Sequence, residues 1–166
     1  MDAIAAVSNN WVMADNDKPL EIPWKEKDDL VFFKEITMGK KLIVSPKTFA
    51  SVKHLKGRKK YLFYEIRKKP SKYNEYVEAE GFIPIASNPA HYDWLKEDNF
   101  IVIGGAFAYK HLLPYCNNFY LTVLHYNVMV ENPLKFPYEE KEISEFFPNK
   151  EMVKEITNGE IWHYFK

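Results

Sequence analysis

Asp29 is the residue whose type and setting most invite chemistry, in the stretch 23–37, PWKEKDDLVFFKEIT. Set on a helix at about 100° per residue, 28–37 gathers Phe32, Ile36, Phe33 and Leu30 into one apolar arc. Asp29 points into the middle of that arc, and Asp28 lies at its edge with Glu35. A lone carboxylate facing apolar surface is costly without a partner, and its pKa is usually raised. Those are the properties of a ligand-reading or proton-handling acid. A helix N-cap formed by Asp28 or Asp29 is the alternative, and the pattern alone leaves both open.

Three other groupings carry chemical potential. Ser45-Pro46-Lys47-Thr48 follows a short apolar run. Serine suits an N-cap and proline the first helical position, so a helix over 47–52 would offer free amides, with Lys47 beside them, to an anion. A well-capped short helix explains the same residues. Gly104-Gly105 stands between the apolar run 100–103 (FIVI) and a helical stretch 106–113 that Pro114 ends. Strand, paired glycines and helix let a backbone approach a phosphate, or make a tight turn. Nine Lys/Arg fall between Lys53 and Lys72 with Glu65 as the sole acid among them, which reads as a solvated basic face or a site for an anionic ligand. Cys116 is the single cysteine. It excludes an internal disulfide, fits a reducing compartment, and with Asn117-Asn118 reads as a turn before a strand.

These residues need positioning elements. Residues 3–7 (AIAAV) suggest a strand buried on both faces, in which Ala5 and Ala6 leave room for something else. Residues 8–27 show no period, carry Pro19 and Pro23, and read as a lid or binding loop, with Trp11, Met13 and Trp24 to cover a ligand. Gly39 closes the Asp29 helix. Strands are expected at 41–45, 61–66, 82–86 (at an edge, because of Pro84), 100–103 and 118–124, the last placing Tyr120, Thr122 and Leu124 on one face. Residues 67–72 form a charged loop broken by Pro70. Ser87-Asn88-Pro89 starts a helix through Glu97 with Trp94 and Leu95 facing inward. Residues 131–148 read as a Pro-rich acidic surface loop. Residues 152–157 and 160–165 form a hairpin about Asn158-Gly159, which suits a two-residue type I′ turn. Alternating strands and helices ending in a hairpin make an α/β domain with a mostly parallel sheet and an antiparallel edge.

With 166 residues the chain is expected to form one domain, 1–166, large enough for a real core. Hydrophobic content of 46% with 28% charged residues is that of a soluble protein. Lys+Arg and Asp+Glu both number 23, which argues against bulk nucleic-acid binding. No run approaches about 18 apolar residues, so no membrane span is expected. The start, MDAIAAV, lacks a basic n-region. The chain is therefore expected to be cytoplasmic, and as a monomer.

Ordered pieces of the chain, IAAV, PW, DDLVFFKEIT, KTFASV, GRKKYLF, FIVIGGAFAY, LP, YLT and FP, resemble dihydrofolate reductase from residue 3 to about 137. The final hairpin fits that family by arrangement rather than motif. The resemblance implies a single twisted, mostly parallel eight-stranded sheet with an antiparallel C-terminal hairpin, flanked by about four helices. It implies reduction of 7,8-dihydrofolate to tetrahydrofolate by hydride from NADPH, and inhibition by antifolates such as methotrexate or trimethoprim. No metal is implied. Asp29 matches the acid that binds the pterin and promotes protonation at N5, Thr122 the threonine hydrogen-bonded to it, and Trp24 the tryptophan beside it. Ile4, Ala6, Leu30, Phe33, Val52, Leu55 and Ile103 match pocket-lining positions, and Arg58 the arginine that binds the folate glutamate. On the cofactor side stand Ala6, Met13, Ser45, Pro46, Lys47, Thr48, Phe63, Tyr64, Glu65, Gly104, Gly105, Ala106, Phe107 and Tyr109. Residues 12–22 match the mobile lid.

The departures from the family pattern lie mostly toward the cofactor. Ser45-Pro46 replaces a usual Gly-Arg, Tyr64-Glu65 a Ser-Ser or Ser-Arg, and Phe107 a basic residue of some members. An acid near the ribose 2′-OH favours NAD over NADP, so NADH is an alternative reductant, with Lys47, Arg67, Lys68 or Lys69 as compensating charges. The lid is about two residues longer, has Ala14 in place of a common glycine, and lacks an acid near Pro133. Two other readings share the fold. One is a folate- or nucleotide-binding module with an eroded cofactor site, which would bind methotrexate without hydride transfer. The other is a reductase of another pterin or a pyrimidine, against which Arg58 argues, because a substrate without a glutamate tail has no use for it.

Overall fold

The computed structural model describes residues 1–68, 81–97 and 99–166. Among the described residues the ten strands are β1 (Asp2–Val7), β2 (Val12–Asp15), β3 (Lys41–Val44), β4 (Lys59–Tyr64), β5 (Phe82–Ala86), β6 (Phe100–Gly104), β7 (Asn118–Leu124), β8 (Pro133–Lys135), β9 (Asn149–Ile156) and β10 (Gly159–Phe165). Eight of them form one sheet in the order β5-β4-β3-β6-β1-β7-β10-β9. All pairings from β5 to β7 are parallel, and β10 pairs antiparallel with both β7 and β9. This is the mostly parallel sheet with an antiparallel C-terminal hairpin that the sequence predicts. Phe100, Ile101 and Val102 on β6 are all buried, as a strand covered on both faces requires. Pro84, which has no amide proton to give a ladder, sits on the edge strand β5.

Among the described residues the α-helices are α1 (Lys27–Thr37), α2 (Pro46–Val52), α3 (Tyr92–Glu97), α4 (Ala106–Leu112) and α5 (Glu140–Phe146). Phe32 of α1 packs on Ile4, Leu42, Ile101 and Ile161 on one side of the sheet. Phe49 of α2 packs with Val44, Leu62 and Phe82. A larger core holds Leu112 and Tyr109 of α4, Phe119, Phe136, Phe147 and Tyr164. None of the described helices is long and apolar enough to cross a membrane.

Several local expectations are corrected. Residues 8–27 are not structureless, because β2 pairs antiparallel with β8 in a second, two-stranded sheet. The partner strand is more than a hundred residues away and leaves no local trace. Residues 131–148 likewise contain β8 and α5 rather than a plain loop. Helix α5 starts with a capping box in which Glu139 and Glu142 satisfy each other's backbone amides. Leu95 is fully buried, but Trp94 is 50% exposed. Successive helical residues lie about 100° apart, so the six-residue α3 buries only one of the two, and the Trp94 ring rests edge-on against Phe100. The expected charged loop at 67–72 begins with a 3-10 turn, Ile66–Lys68, and the rest of it lies outside the described residues.

The terminal hairpin turns at Thr157-Asn158, one residue earlier than expected, and Gly159 is already in β10, paired with Ile156 and Leu124. Its φ is not among the positive ones, so no type I′ turn needs it. A Cβ there would stand 2.5 Å from the Val123 carbonyl oxygen. Close approach of β7, not turn geometry, calls for this glycine.

Candidate active site

Asp29 lies in the first turn of α1. The N-cap residue of that helix is Glu26, without a side-chain cap, so neither aspartate takes the capping role left open by the sequence. Asp28 Oδ2 accepts a long hydrogen bond from Thr157 Oγ1 at 3.4 Å. Asp29 Oδ1 accepts from Thr122 Oγ1 at 2.6 Å. Thr122 sits mid-strand on β7, opposite Ala6 on β1 and Ile161 on β10, and is buried. Burial pushes the Asp29 carboxyl above its usual range. The Thr122 hydrogen bond pulls it down, and the charge of Glu26 pushes it further up. A carboxylate with its outer face open and its inner face held by a hydroxyl can bind cationic or N–H-rich groups and hold a proton.

In front of Asp29 opens a cleft of about 970 Å³. Ile4, Ala5 and Ala6 form its floor, and the two alanines leave the room that a larger residue would fill. Leu30 and Phe33 of α1, Val52 and Leu55 at the end of α2, and Ile103 of β6 form apolar walls. The apolar arc of α1 is thus divided. Phe32 enters the core, while Leu30, 53% exposed, and Phe33 face the cleft. Met13, Ala14, Trp24 and residues 19–22 border it from the segment before α1. At its far end Arg58 is oriented by Nη1 donating to Thr37 Oγ1 at 3.1 Å and Nε donating to the Lys56 carbonyl at 2.9 Å.

The other end is built where α2 and α4 begin. The Ser45 amide donates to the Gly104 carbonyl at 2.7 Å, and the Gly105 amide donates to Ser45 Oγ. Ser45 is the N-cap residue of α2 and Pro46 its first residue, as expected, but the Ser45 hydroxyl is spent on the glycine pair and makes no side-chain cap. Gly104 has φ +119 and its peptide to Gly105 is cis. A Cβ on Gly105 would lie 2.8 Å from Thr48 Oγ1. Tyr109 Oη donates to the Ile4 carbonyl at 2.6 Å, tying α4 to the cleft floor, and burial holds its phenol far above the usual range. Thr48, Gly104, Gly105 and Tyr109 all line the cleft.

The structure therefore brings together Ile4, Ala6, Met13, Trp24, Asp29, Leu30, Phe33, Thr48, Val52, Leu55, Arg58, Ile103, Gly104, Gly105 and Tyr109 around one cavity. Thr122 and Ser45 stand behind it as buried partners. Pro46, Lys47, Tyr64, Glu65, Ala106 and Phe107 do not line it. Phe63 has no exposed surface to give a ligand. It is wholly buried among Tyr92, Phe107 and His111, so its side chain is core, a correction to its expected cofactor contact. Lys69 lies outside the described residues. The sequence reading missed Ser51 and His54, which line the cleft. Ser51 follows Thr48 by three and precedes Leu55 by four, the spacing of one helical face, and that spacing was a usable signal. It also missed Glu26, whose partners Tyr126 and Asn158 are remote in sequence.

A family model described as dihydrofolate reductase matches residues 1–159. Curated relatives include dihydrofolate reductase of Buchnera aphidicola, 33% identical over 135 residues, 81% of this chain and 76% of that one. The type 9 dihydrofolate reductase of Escherichia coli is 31% identical over 116 residues, 69% of this chain and 66% of that one. Dihydrofolate reductase of Bacillus subtilis is 31% identical over 121 residues, 72% and 65% of the two chains. A solved dihydrofolate reductase from Enterococcus faecalis, complexed with NADP(H) and RAB-propyl, superposes with a TM-score of 0.72 at 21% identity, covering 99% of this chain and 94% of that one. It shares the fold.

Proposed function

This chain belongs to the dihydrofolate reductase family, and from that premise we propose that it reduces 7,8-dihydrofolate to tetrahydrofolate with NADPH as reductant. The observation that carries the reading is the Thr122–Asp29 hydrogen bond at the inner end of an apolar cleft. Asp29 accepts hydrogen bonds from the exocyclic amine and N3–H of the pterin. Thr122 fixes the carboxylate while it does so. Because burial raises its pKa, Asp29 holds a proton to higher pH than an ordinary carboxyl, and a proton held beside the pterin favours protonation at N5. Ile4, Leu30, Phe33, Val52, Leu55 and Ile103 cover the rings and exclude water. Trp24 and Met13 border the cleft from the segment that closes it. The Arg58 guanidinium takes the glutamate carboxylate in a two-pronged contact.

The residues at the other end fit a dinucleotide. Gly104 and Gly105 bring bare backbone to the cleft wall where α2 and α4 begin. Thr48, Gly104, Gly105 and Tyr109 would hold the cofactor, with Ser45 supporting the glycines from behind. NADPH, when bound, supplies the hydride that reduces C6. Glu65 lies just past the end of β4, where an acid disfavours a 2′-phosphate, so selectivity for NADPH over NADH is weak. As part of the same proposal the enzyme is a cytoplasmic monomer.

The test is loss of nicotinamide absorbance with dihydrofolate, run in parallel with NADPH and NADH. Turnover with comparable kcat/KM for the two supports the whole reading. A ratio on the order of 10³ for NADPH would refute weak selectivity. Tight methotrexate binding without turnover would make the chain a binding module instead.

A further inference from the structure

Beyond Arg58 the molecule has a second hollow, of about 590 Å³, which the proposed chemistry does not use. It lies where β3, β4 and β5 begin. Lys40, Lys41, Arg58, Lys59 and Lys60 line it, and no acid is among its described lining residues. Gly39 and Gly81 belong to its rim, and a Cβ on either would meet nothing within 4 Å, so the backbone there is open to a ligand. Arg58 is shared. It lines both this hollow and one end of the cleft.

Gathering these cations costs energy. Lys41 on β3 stands opposite Lys59 on β4 in the parallel register, and like charges side by side on neighbouring strands repel. The Lys60 ammonium lies over the Phe82 ring and donates to the Lys53 carbonyl at 2.7 Å. Burial first, and then the charge of Arg58, hold its pKa below the ordinary value. Asp2 balances Lys40 at 2.9 Å. Arg58 is turned by its bonds to Thr37 and Lys56 rather than by an acid, and Arg58, Lys59 and Lys60 meet no carboxylate among the described residues. Arg58, Lys59 and Lys60 come from the basic run that reads as a solvated face or an anion site, and an acid-free hollow at that place favours the anion site.

Continuity at Arg58 gives the anion its chemistry. With the pterin on Asp29, the glutamate of the substrate ends at Arg58, and anything joined to that glutamate leaves the cleft beside the lysines. We propose that this hollow binds an oligo-γ-glutamyl extension of the folate substrate, each added residue bringing one more carboxylate to Lys41, Lys59 and Lys60. Single exposed ion pairs are weak. Here the bound pterin tethers the extension, so several such pairs form at high effective concentration.

This inference rests on the proposed reading of the cleft, and its test separates the two. Quenching of tryptophan fluorescence gives Kd for methotrexate and for methotrexate carrying two further γ-linked glutamates. At about 50 mM salt the extended ligand is expected to bind wild-type protein about fivefold tighter or more, and the gain should fade at about 0.5 M salt. Lys59 is exposed and does not line the cleft. Lys59→Glu should keep the methotrexate Kd within about twofold of wild type and lose the gain, while Lys59→Arg retains it. Should charge reversal disturb folding, Lys59→Gln is expected to reduce the gain in the same sense. Free tri-γ-glutamate is the control, and binding as tight as that of the extended ligand would mean an anion site independent of the substrate and overturn the proposal. Equal Kd for the two methotrexate forms in wild-type protein, or a full gain in folded Lys59→Glu, would overturn it as well and leave the reading of the cleft intact. Failure of methotrexate itself to bind would overturn the reading of the cleft and this inference with it.

Discussion

Thr122 Oγ1 donates to Asp29 Oδ1 at 2.6 Å, joining the middle of β7 to the first turn of α1 across 93 residues of chain. The bond uses one oxygen of a carboxylate that lines the cleft. It also decides how Asp29 tolerates its surroundings, because it is the one contribution that opposes burial and the charge of Glu26.

Asp29 should make the protein less stable as pH rises. Burial raises its folded pKa above the ordinary 3.8. A group raised in this sense contributes stability that is fully present below the unfolded value and lost as pH climbs through the folded one. Asp29→Asn has no such loss. Thermal melts of the two proteins between about pH 4 and pH 7 are expected to show the variant gaining on wild type as pH increases. A difference in Tm that stays constant with pH would contradict the burial argument.

Arg58→Lys should raise KM for dihydrofolate by about tenfold, with kcat little changed. Thr37 and Lys56 hold two of the guanidinium nitrogens, so the planar group is presented in one orientation. A lysine ammonium reproduces the charge but not the paired contact. Steady-state kinetics against dihydrofolate checks this, and KM within about twofold of wild type would remove Arg58 from the substrate site.

Gly105→Ala should damage the cofactor end selectively. The added Cβ would stand 2.8 Å from Thr48 Oγ1 and 3.3 Å from Ser45 Oγ, forcing apart the starts of α2 and α4. A cost of about 1–3 kcal/mol in stability is expected. KM for NADPH should rise about tenfold while methotrexate binding without cofactor changes much less. Equal losses on both sides would mean that the glycine pair serves the whole cleft rather than one end.

Much of this architecture is legible in the sequence because its signals are local. The apolar runs of β1, β3, β6 and β7 mark the parallel sheet, Pro84 marks an edge, and Gly39 closes α1. The walls of the cleft follow from family motifs laid on that frame. What escapes is set by contacts distant in sequence. The pairing of β2 with β8 turns two apparent loops into a small sheet. Gly159 reads as a turn residue from its Asn-Gly neighbourhood, yet it is required by the backbone of β7. Phe63 is adjacent to cofactor-side positions in sequence but points into the core, since strand neighbours face opposite sides. Glu26 carries no local signal, because Tyr126 and Asn158 lie 100 and 132 residues away.

Turnover of Asp29→Asn tests the central claim most directly. With dihydrofolate and NADPH at neutral pH, the account predicts a folded variant whose kcat is lower by a factor on the order of 10²–10³, the scale of a lost acid–base group. A folded variant turning over within about twofold of wild type would contradict the assignment of Asp29 as the pterin-binding acid.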